Sequence, residues 1–303
     1  MIEQIVALCE RFPPLPLGPR EVPSEARSAW RIGRYRTLGI QPRQTFLLAP
    51  DGFIGLVTGQ IDAITQEPQA RIFDRAGACE ALLPEAIEAA RQSRADWLIT
   101  LVEVDDTAWE ESLQRAGFAV ESYRIAKRFR TPHETEQALQ VRGVYRVRPA
   151  EANDLLPVAL LSTVSSQQAI PAGRSVNELE VKGRFMDAHL ATVLDETLCF
   201  LVAETVSDDE LVGYMKIRLC QDETTSDEIV GYIEDFSVAQ AHWGMASHSL
   251  FFGIEQALHA KGVEVLVGDI SAANGRSLAG ATRKVGLQVE FQRWGKKLFT
   301  CQD

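Results

Sequence analysis

The chain has 303 residues, of which 46% are hydrophobic and 24% are charged, and its formal net charge is −11 at pH 7. This composition is typical of a globular protein, and the length favours two domains over one. The acidic balance argues against a nucleic-acid partner, and no apolar run reaches the roughly 18 residues that a membrane-spanning helix needs.

The cysteine and histidine patterns indicate the redox state of the thiols and whether a metal is bound. The five cysteines are scattered and form no Cys-x-x-Cys pair, and residues 1–10 lack the basic region of a signal peptide. We therefore expect a cytoplasmic protein with reduced thiols. The five histidines show no ligand spacing, so no metal site is predicted.

The first half alternates predicted helices and strands. In chain order these are an amphipathic helix at residues 1–10, a hairpin at 46–60, a strand at Ala70–Phe73, a helix at Leu82–Arg91, a strand at Trp97–Val102, a helix at Trp109–Arg115 and a strand at Ala119–Phe129. A polar segment with Pro132 then predicts a linker at 131–143, which separates a domain at 1–130 from one at 144–303.

The second half repeats this alternation. Its predicted elements are a strand at Tyr145–Arg148, a helix at Leu155–Leu161, a loop or irregular helical excursion at 165–180, a helix at Phe185–Leu194, a hairpin of Leu198–Ala203 and Leu211–Leu219, a strand at Ile229–Val238, a helix reaching His259, a strand at Val263–Ile270, a helix at Arg276–Lys284 and a strand at Leu287–Leu298. The acidic run Asp222–Glu228 is interpreted as a solvated hairpin turn.

The two halves match one another as a duplication. Leu98 and Leu82 lie 168 positions before Leu266 and Leu250, Gly117 lies 169 positions before Gly286, and Gly55 is matched with Gly213. A repeat of this length indicates two copies of one domain rather than a solenoid.

One turn is present in the second half alone. The strand at Ile233–Val238 leads through Gly244 and Ala246 into a helix, an arrangement that aims backbone N–H groups at a bound phosphate. The first half has only Asp74–Gly77 in this place. Its phosphate cradle is therefore predicted to be shortened or absent, and the second half is expected to hold the cofactor.

This order of elements resembles the GCN5-related N-acetyltransferase (GNAT) superfamily over residues 144–299, with 45–130 as a degenerate second copy. The resemblance implies an α/β fold of two tandem domains, each a twisted mixed sheet flanked by helices. It also implies an acetyl-CoA-dependent N-acetyltransferase that transfers directly to a small amine in a ternary complex, as a monomer or homodimer. The first half would serve as a scaffold that closes one edge of the sheet or walls the acceptor pocket.

The resemblance also implies a set of cofactor-binding residues. Gly244 and Ala246 match the family's phosphate turn, whereas Ala241 stands where Arg or Gln is usual. Val238 and Ala239 would bind through backbone atoms, Trp243 either shields the adenine or only packs, and Asn274 either holds the pantetheine arm or only caps a helix. The full predicted set is Phe236, Val238, Ala239, Trp243, Gly244, Met245, Ala246, Ser247, Asn274 and Ser277.

The catalytic candidates are two carboxylates and three hydroxyls. An ammonium must lose a proton before it attacks a thioester, so Glu234 or Asp235 is the expected general base, with a slight preference for Glu234. Because the two are adjacent on a strand, they are expected on opposite faces, and the alternative for each is a structural ion pair. The family's tyrosine acid falls on Thr282, so Tyr214 and Tyr232 are possible substitutes.

Substrate identity and rival functions stay open. In this family the region of Gln167–Gly173, Phe185, Met186 and Leu190 usually lines the acceptor side. The departures at Ala241 and Thr282 leave a non-catalytic acyl-CoA-binding or interaction protein as the alternative, and O-acyl or longer-chain transfer as a third. Gly275–Ala279 resembles a hydrolase nucleophile elbow, but the catalytic histidine of that class follows the serine, and the last histidine here is His259.

Overall fold

The structure, a computed structural model, describes residues 1–130, 143–174, 176–222 and 228–299. The predicted linker at 131–143, apart from Gly143, lies outside these residues, and so does the centre of the acidic run Asp222–Glu228. Among the described residues, every helix is too short or too polar to cross a lipid bilayer.

The strands and helices follow the predicted order. The strands are β1 (Gln44–Ala49), β2 (Gly52–Ile61), β3 (Pro68–Gly77), β4 (Trp97–Glu103), β5 (Ala119–Arg128), β6 (Tyr145–Pro149), β7 (Leu198–Thr205), β8 (Leu211–Gln221), β9 (Ile229–Val238), β10 (Val265–Ser271) and β11 (Gln288–Lys297). The helices are α1 (Ile2–Arg11), α2 (Ser24–Leu38), α3 (Leu83–Gln92), α4 (Thr107–Arg115), α5 (Leu155–Ala169), α6 (Glu178–Leu190), α7 (Met245–Ala260) and α8 (Gly275–Gly280), the last continued by a π-turn at Ala281–Val285. Helix α2 was not predicted, and α5 extends to Ala169, into the segment predicted as a loop or an irregular helical excursion.

The eleven strands of the described residues form one sheet, in the order β1-β2-β3-β4-β11-β5-β10-β9-β8-β7-β6. The pairs β3–β4 and β9–β10 are parallel and the other pairs are antiparallel. The predicted mixed α/β fold is confirmed, and the two expected sheets are joined into a single one.

The joint is an exchange of final strands. β5, the last strand of the first half, pairs with β10 and β11 of the second half. β11, the last strand of the second half, pairs with β4 and β5 of the first. Each final strand therefore has neighbours from the other half, and the two halves interlock rather than dock.

The side chains follow the same exchange. Ile125 and Phe129 pack in the core of the second half, together with Leu250 and Ile254 of α7. Trp294 and Leu298 pack in the core of the first half, against residues of β4 and α3. On the opposite face of the second half, Val158 of α5 packs on Phe200 and Tyr214.

Strand pairing corrects one detail of the predicted repeat. Gly52 pairs with Gly77, and Gly213 pairs with Val238, so the glycine equivalent to Gly213 is Gly52 and the predicted match to Gly55 is wrong. Each hairpin then contains an extra residue at the same point, Phe73 in β3 and Glu234 in β9. A bulge changes the local count without changing the overall pattern of apolar residues, which explains why sequence comparison misplaced it.

Candidate functional site

The two parallel strands of the second half diverge beside the predicted site. β9 pairs with β10 from Gly231 to Ile233, opposite Leu266 to Gly268, and the pairing ends there. Beyond that point β9 continues along β8, while β10 continues along β5. The result is a wedge-shaped gap in the sheet that opens towards the turn before α7.

The bulge at the start of this gap reorients the two candidate bases. Lys216 pairs with Asp235 and Ile217 pairs with Ile233, which leaves Glu234 as the extra residue. Glu234 contacts Lys216 and Arg218, and Asp235 contacts Tyr214. Residues 214, 216 and 218 share one face of β8. Both carboxylates therefore lie on that face, and the prediction of opposite faces is wrong.

Asp235 is held by a buried hydrogen-bond network. Its Oδ2 accepts from the Tyr214 hydroxyl at 2.6 Å and lies 2.7 Å from His189 Nε2, and its Oδ1 accepts from the Phe236 backbone N–H at 2.8 Å. Tyr214 and His189 are buried, whereas the Asp235 side chain keeps 15% of its surface exposed. Asp235 is thus the member of the network that a solute can reach.

The candidate hydroxyl acids are poorly placed to give up a proton. Burial, followed by the charge of Asp235, raises the pKa of Tyr214 well above its usual value. Tyr232 donates to Asp269, and burial raises its pKa as well. The Thr282 hydroxyl donates to the backbone carbonyl of Leu278 at 2.9 Å. None of these three is positioned here as a free acid.

The turn before α7 has the features of an anion cradle. Gly244 adopts φ +86°, which favours glycine, and α7 then runs for 16 residues from Met245. No side chain of the described residues caps this N-terminus, and its first turn carries no acidic residue. The N–H groups of the first turn are therefore left for an external acceptor. The side chain of Ala246 is fully buried, whereas that of Met245 is half-exposed at the opening of the cradle.

Basic side chains surround this cradle. A Cβ built on Gly244 would lie 3.8 Å from Lys284 Nζ, with nothing nearer. The Arg276 guanidinium lies 4.8 Å from the ring centroid of Trp243. Burial, together with Lys284, lowers the pKa of His248. Sequence reasoning missed the roles of Lys284, Arg276 and His189, since single basic residues on helices carry no motif.

Several predicted cofactor contacts are already used within the protein. The Ala239 N–H donates to Val212 O and its carbonyl accepts from the His242 N–H, which argues against backbone binding there. The Trp243 indole donates to Val238 O at 2.6 Å. Asn274 is the N-cap of α8, accepting from the Ser277 N–H at 3.1 Å.

The corresponding carboxylate of the first half is paired with an arginine. Asp74, just after the Phe73 bulge, occupies the place of Asp235, and it is bound by Arg31 and Tyr35 of α2. Helix α3 begins with buried Leu83 followed by Pro84, which has no backbone N–H to offer a phosphate. This fits the prediction that the phosphate cradle of the first half is shortened or absent.

Comparison with known proteins identifies a matching family model and similar folds. A family model described as "Acetyltransferase (GNAT) family" matches residues 174–286. No curated protein sequence matches the chain at a significant level. The fold is similar to a GCN5-related N-acetyltransferase from Sphaerobacter thermophilus, with a TM-score of 0.60, 12% identity, and coverage of 99% of this chain and 92% of that one. It is also similar to a tandem GNAT protein from the clavulanic acid biosynthesis pathway, with a TM-score of 0.50, 14% identity, and coverage of 99% and 95%. Residues 174–286 therefore match the acetyltransferase (GNAT) family, and the chain as a whole has a fold similar to that of GNAT proteins, a tandem one among them.

Proposed function

We propose that the protein is an acetyl-CoA-dependent N-acetyltransferase that acetylates a small amine by direct transfer in a ternary complex. The observation that carries this proposal is the uncapped α7 N-terminus at Gly244, set beside a gap in the sheet that has Asp235 at its upstream end. One segment of chain thus offers both a binding site for a phosphate-bearing cofactor and a group that can accept a proton.

The residues at the cradle fit a pyrophosphate group. Gly244 leaves open the space that a side chain would fill, the N–H groups of Met245, Ala246 and Ser247 lack helical partners, and Lys284 adds positive charge. Arg276 and Trp243 form an exposed stacked pair beside it. When bound, acetyl-CoA supplies an acyl thioester, the group that would be transferred.

Asp235 is the better candidate for the general base. Glu234 is neutralised by two cations, with Arg218 Nε at 2.5 Å and Lys216 Nζ at 3.3 Å. Asp235 has no Lys or Arg among its described partners, and the donors on Oδ2 and Oδ1 fix its orientation. We therefore propose that Asp235 takes the proton of the incoming ammonium group, which reverses the slight sequence-based preference for Glu234.

Calorimetry with acetyl-CoA, followed by a thiol-release assay across a panel of small amines, tests the proposal. We expect binding of one acetyl-CoA per chain and CoA release with at least one amine. Absence of any acetyl-CoA binding would contradict the proposal.

A non-catalytic acyl-CoA-binding protein is the second candidate. It is favoured by the lack of a free hydroxyl acid among Tyr214, Tyr232 and Thr282. Tight acetyl-CoA binding without transfer to any amine of the panel would support this candidate over the enzyme.

Replacing Gly244 by alanine is expected to weaken CoA binding about tenfold, because the new Cβ enters the cradle. Gly262, at the other end of α7, is a matched control, since it has φ +73° and nothing within 4 Å of its Cβ position. Both changes impose similar backbone strain, of about 1 kcal/mol. Calorimetry should show an effect in Gly244→Ala only, and equal losses in both variants would refute the cradle.

Replacing Lys284 by glutamine is expected to weaken CoA binding about fivefold at low salt, because a charge beside the phosphates is removed. The difference from wild type should shrink at high ionic strength, where exposed charges are screened. Lys297, an exposed lysine at the end of β11, provides the charge-matched control. A loss that does not vary with salt would contradict an electrostatic role for Lys284.

A further inference from the structure

Arg174, in the loop between α5 and α6, is fully buried in the first half of the chain. Its Nε lies 2.8 Å from Glu121 Oε1, and its Nη1 lies 3.4 Å from both Asp62 Oδ2 and Glu67 Oε2. Its guanidinium also stacks on Trp97, 4.6 Å from the ring centroid. A single residue of the second half is thus enclosed by groups of the first.

The backbone next to Arg174 is hydrogen-bonded to the same residue of the first half, Glu121. The Ala172 N–H donates to Glu121 O at 3.0 Å, and the Ala272 N–H, just beyond β10, donates to the same oxygen at 2.9 Å. The Ser271 hydroxyl donates to Ile170 O at 2.7 Å. The segment Gln167–Gly173 is therefore held between the first half and the end of β10.

The charges show that this contact is specific. Asp62 and Glu121 also form ion pairs with Arg293. The carboxylates of Asp62, Glu67 and Glu121 therefore share two guanidinium groups. Removing one partner of a buried ion cluster leaves the other charges uncompensated, which is costly. Arg174 is therefore held in one position.

The repeat provides a counterpart at Arg20, in the segment between α1 and α2. Arg20 is fully buried and binds Asp222 and Glu290 of the second half. This burial also shows that the interpretation of Asp222 as part of a solvated turn is wrong. Each half thus inserts a fully buried arginine into the other.

We propose that the Asp62–Glu67–Glu121 cluster of the first half, acting through Arg174, sets the position of Gln167–Gly173 and so shapes acceptor binding in the second half. Arg174 is a positioning residue in this scheme. The effect on acceptor binding rests on the proposed function, whereas the positioning of the segment does not. In this scheme the first half influences the site of the second half without binding a ligand itself.

Hydrogen exchange on the full chain, without ligand, tests the positioning directly. In Arg174→Gln we expect the amide of Ala172 to exchange about tenfold faster, and in Arg20→Gln we expect it to be unchanged. If Arg174→Gln does not fold, Glu67→Gln, at the partly exposed rim of the cluster, should show the same effect more weakly. Unchanged exchange in the cluster variant, or equal acceleration in Arg20→Gln, would overturn the proposal.

Kinetics with an amine found by the panel test the consequence. Arg174→Gln is expected to raise the KM for that amine at least fivefold and to leave the calorimetric affinity for CoA unchanged. Arg20→Gln is expected to leave the KM unchanged. An unchanged amine KM despite accelerated exchange would refute the effect on the acceptor. If the wild-type protein does not bind CoA, that result would count against the proposed function alone.

Discussion

Replacing Asp235 by asparagine is expected to reduce the rate of acetyl transfer by about 10²- to 10⁴-fold, the usual contribution of a general base. Asparagine keeps the size of the side chain but cannot take up the proton of the attacking ammonium. The cradle at Gly244 lies beyond the far end of β9, so CoA affinity should not change. Thiol release under saturating acetyl-CoA measures the rate, and calorimetry measures the affinity.

Two further variants separate a catalytic Asp235 from a structural one. Glu234→Gln removes the neighbouring carboxylate on the same face and is expected to lower the rate less than tenfold, because Glu234 is held by Lys216 and Arg218. Tyr214→Phe removes one donor from Oδ2 and leaves the His189 contact in place. An Asp235→Asn enzyme with normal turnover would eliminate Asp235 as the base.

Tyr214→Phe is expected to lower the rate less than Asp235→Asn does, because it removes one hydrogen bond to the carboxylate and keeps the carboxylate itself. Thiol release under saturating acetyl-CoA measures the difference. A loss as large as that of Asp235→Asn would contradict this expectation.

The periodicity of the chain predicts much of the fold because it reports burial. β9 was predicted at Ile229–Val238 and is found there, and the helix after Gly244 ends within one residue of the prediction. Apolar residues alternate in the strands whichever neighbours the strands acquire. The duplication was visible for the same reason, since both halves bury equivalent positions.

Partner choice and bulges are not encoded in that pattern. β5 has the same alternation whether it lies beside a strand of its own half or between β10 and β11, so the exchange of final strands was not predictable. The extra residue at Glu234 reverses the expected facing of one carboxylate and leaves the apolar positions in place. His189 gave no signal because its role depends on Asp235, 46 positions away in the sequence.

The exchanged strands predict that the first half cannot fold alone. A fragment of residues 1–142 would lack β11, which separates β4 from β5, and would leave β5 without its two neighbours. It would also lose Trp294 and Leu298 from its core, at a cost of about 1.5–3 kcal/mol each. Typical domain stabilities are about 5–15 kcal/mol, and the lost strand pairing adds to the deficit.

We expect the isolated fragment to show no cooperative thermal transition by circular dichroism. Co-expression with residues 143–303 should restore a stable complex, because each piece then supplies the strand that the other needs. The intact chain is the control for expression and signal. Cooperative unfolding of 1–142 on its own would mean that β5 can rejoin β4 directly, and that the exchange of strands joins two independently stable domains.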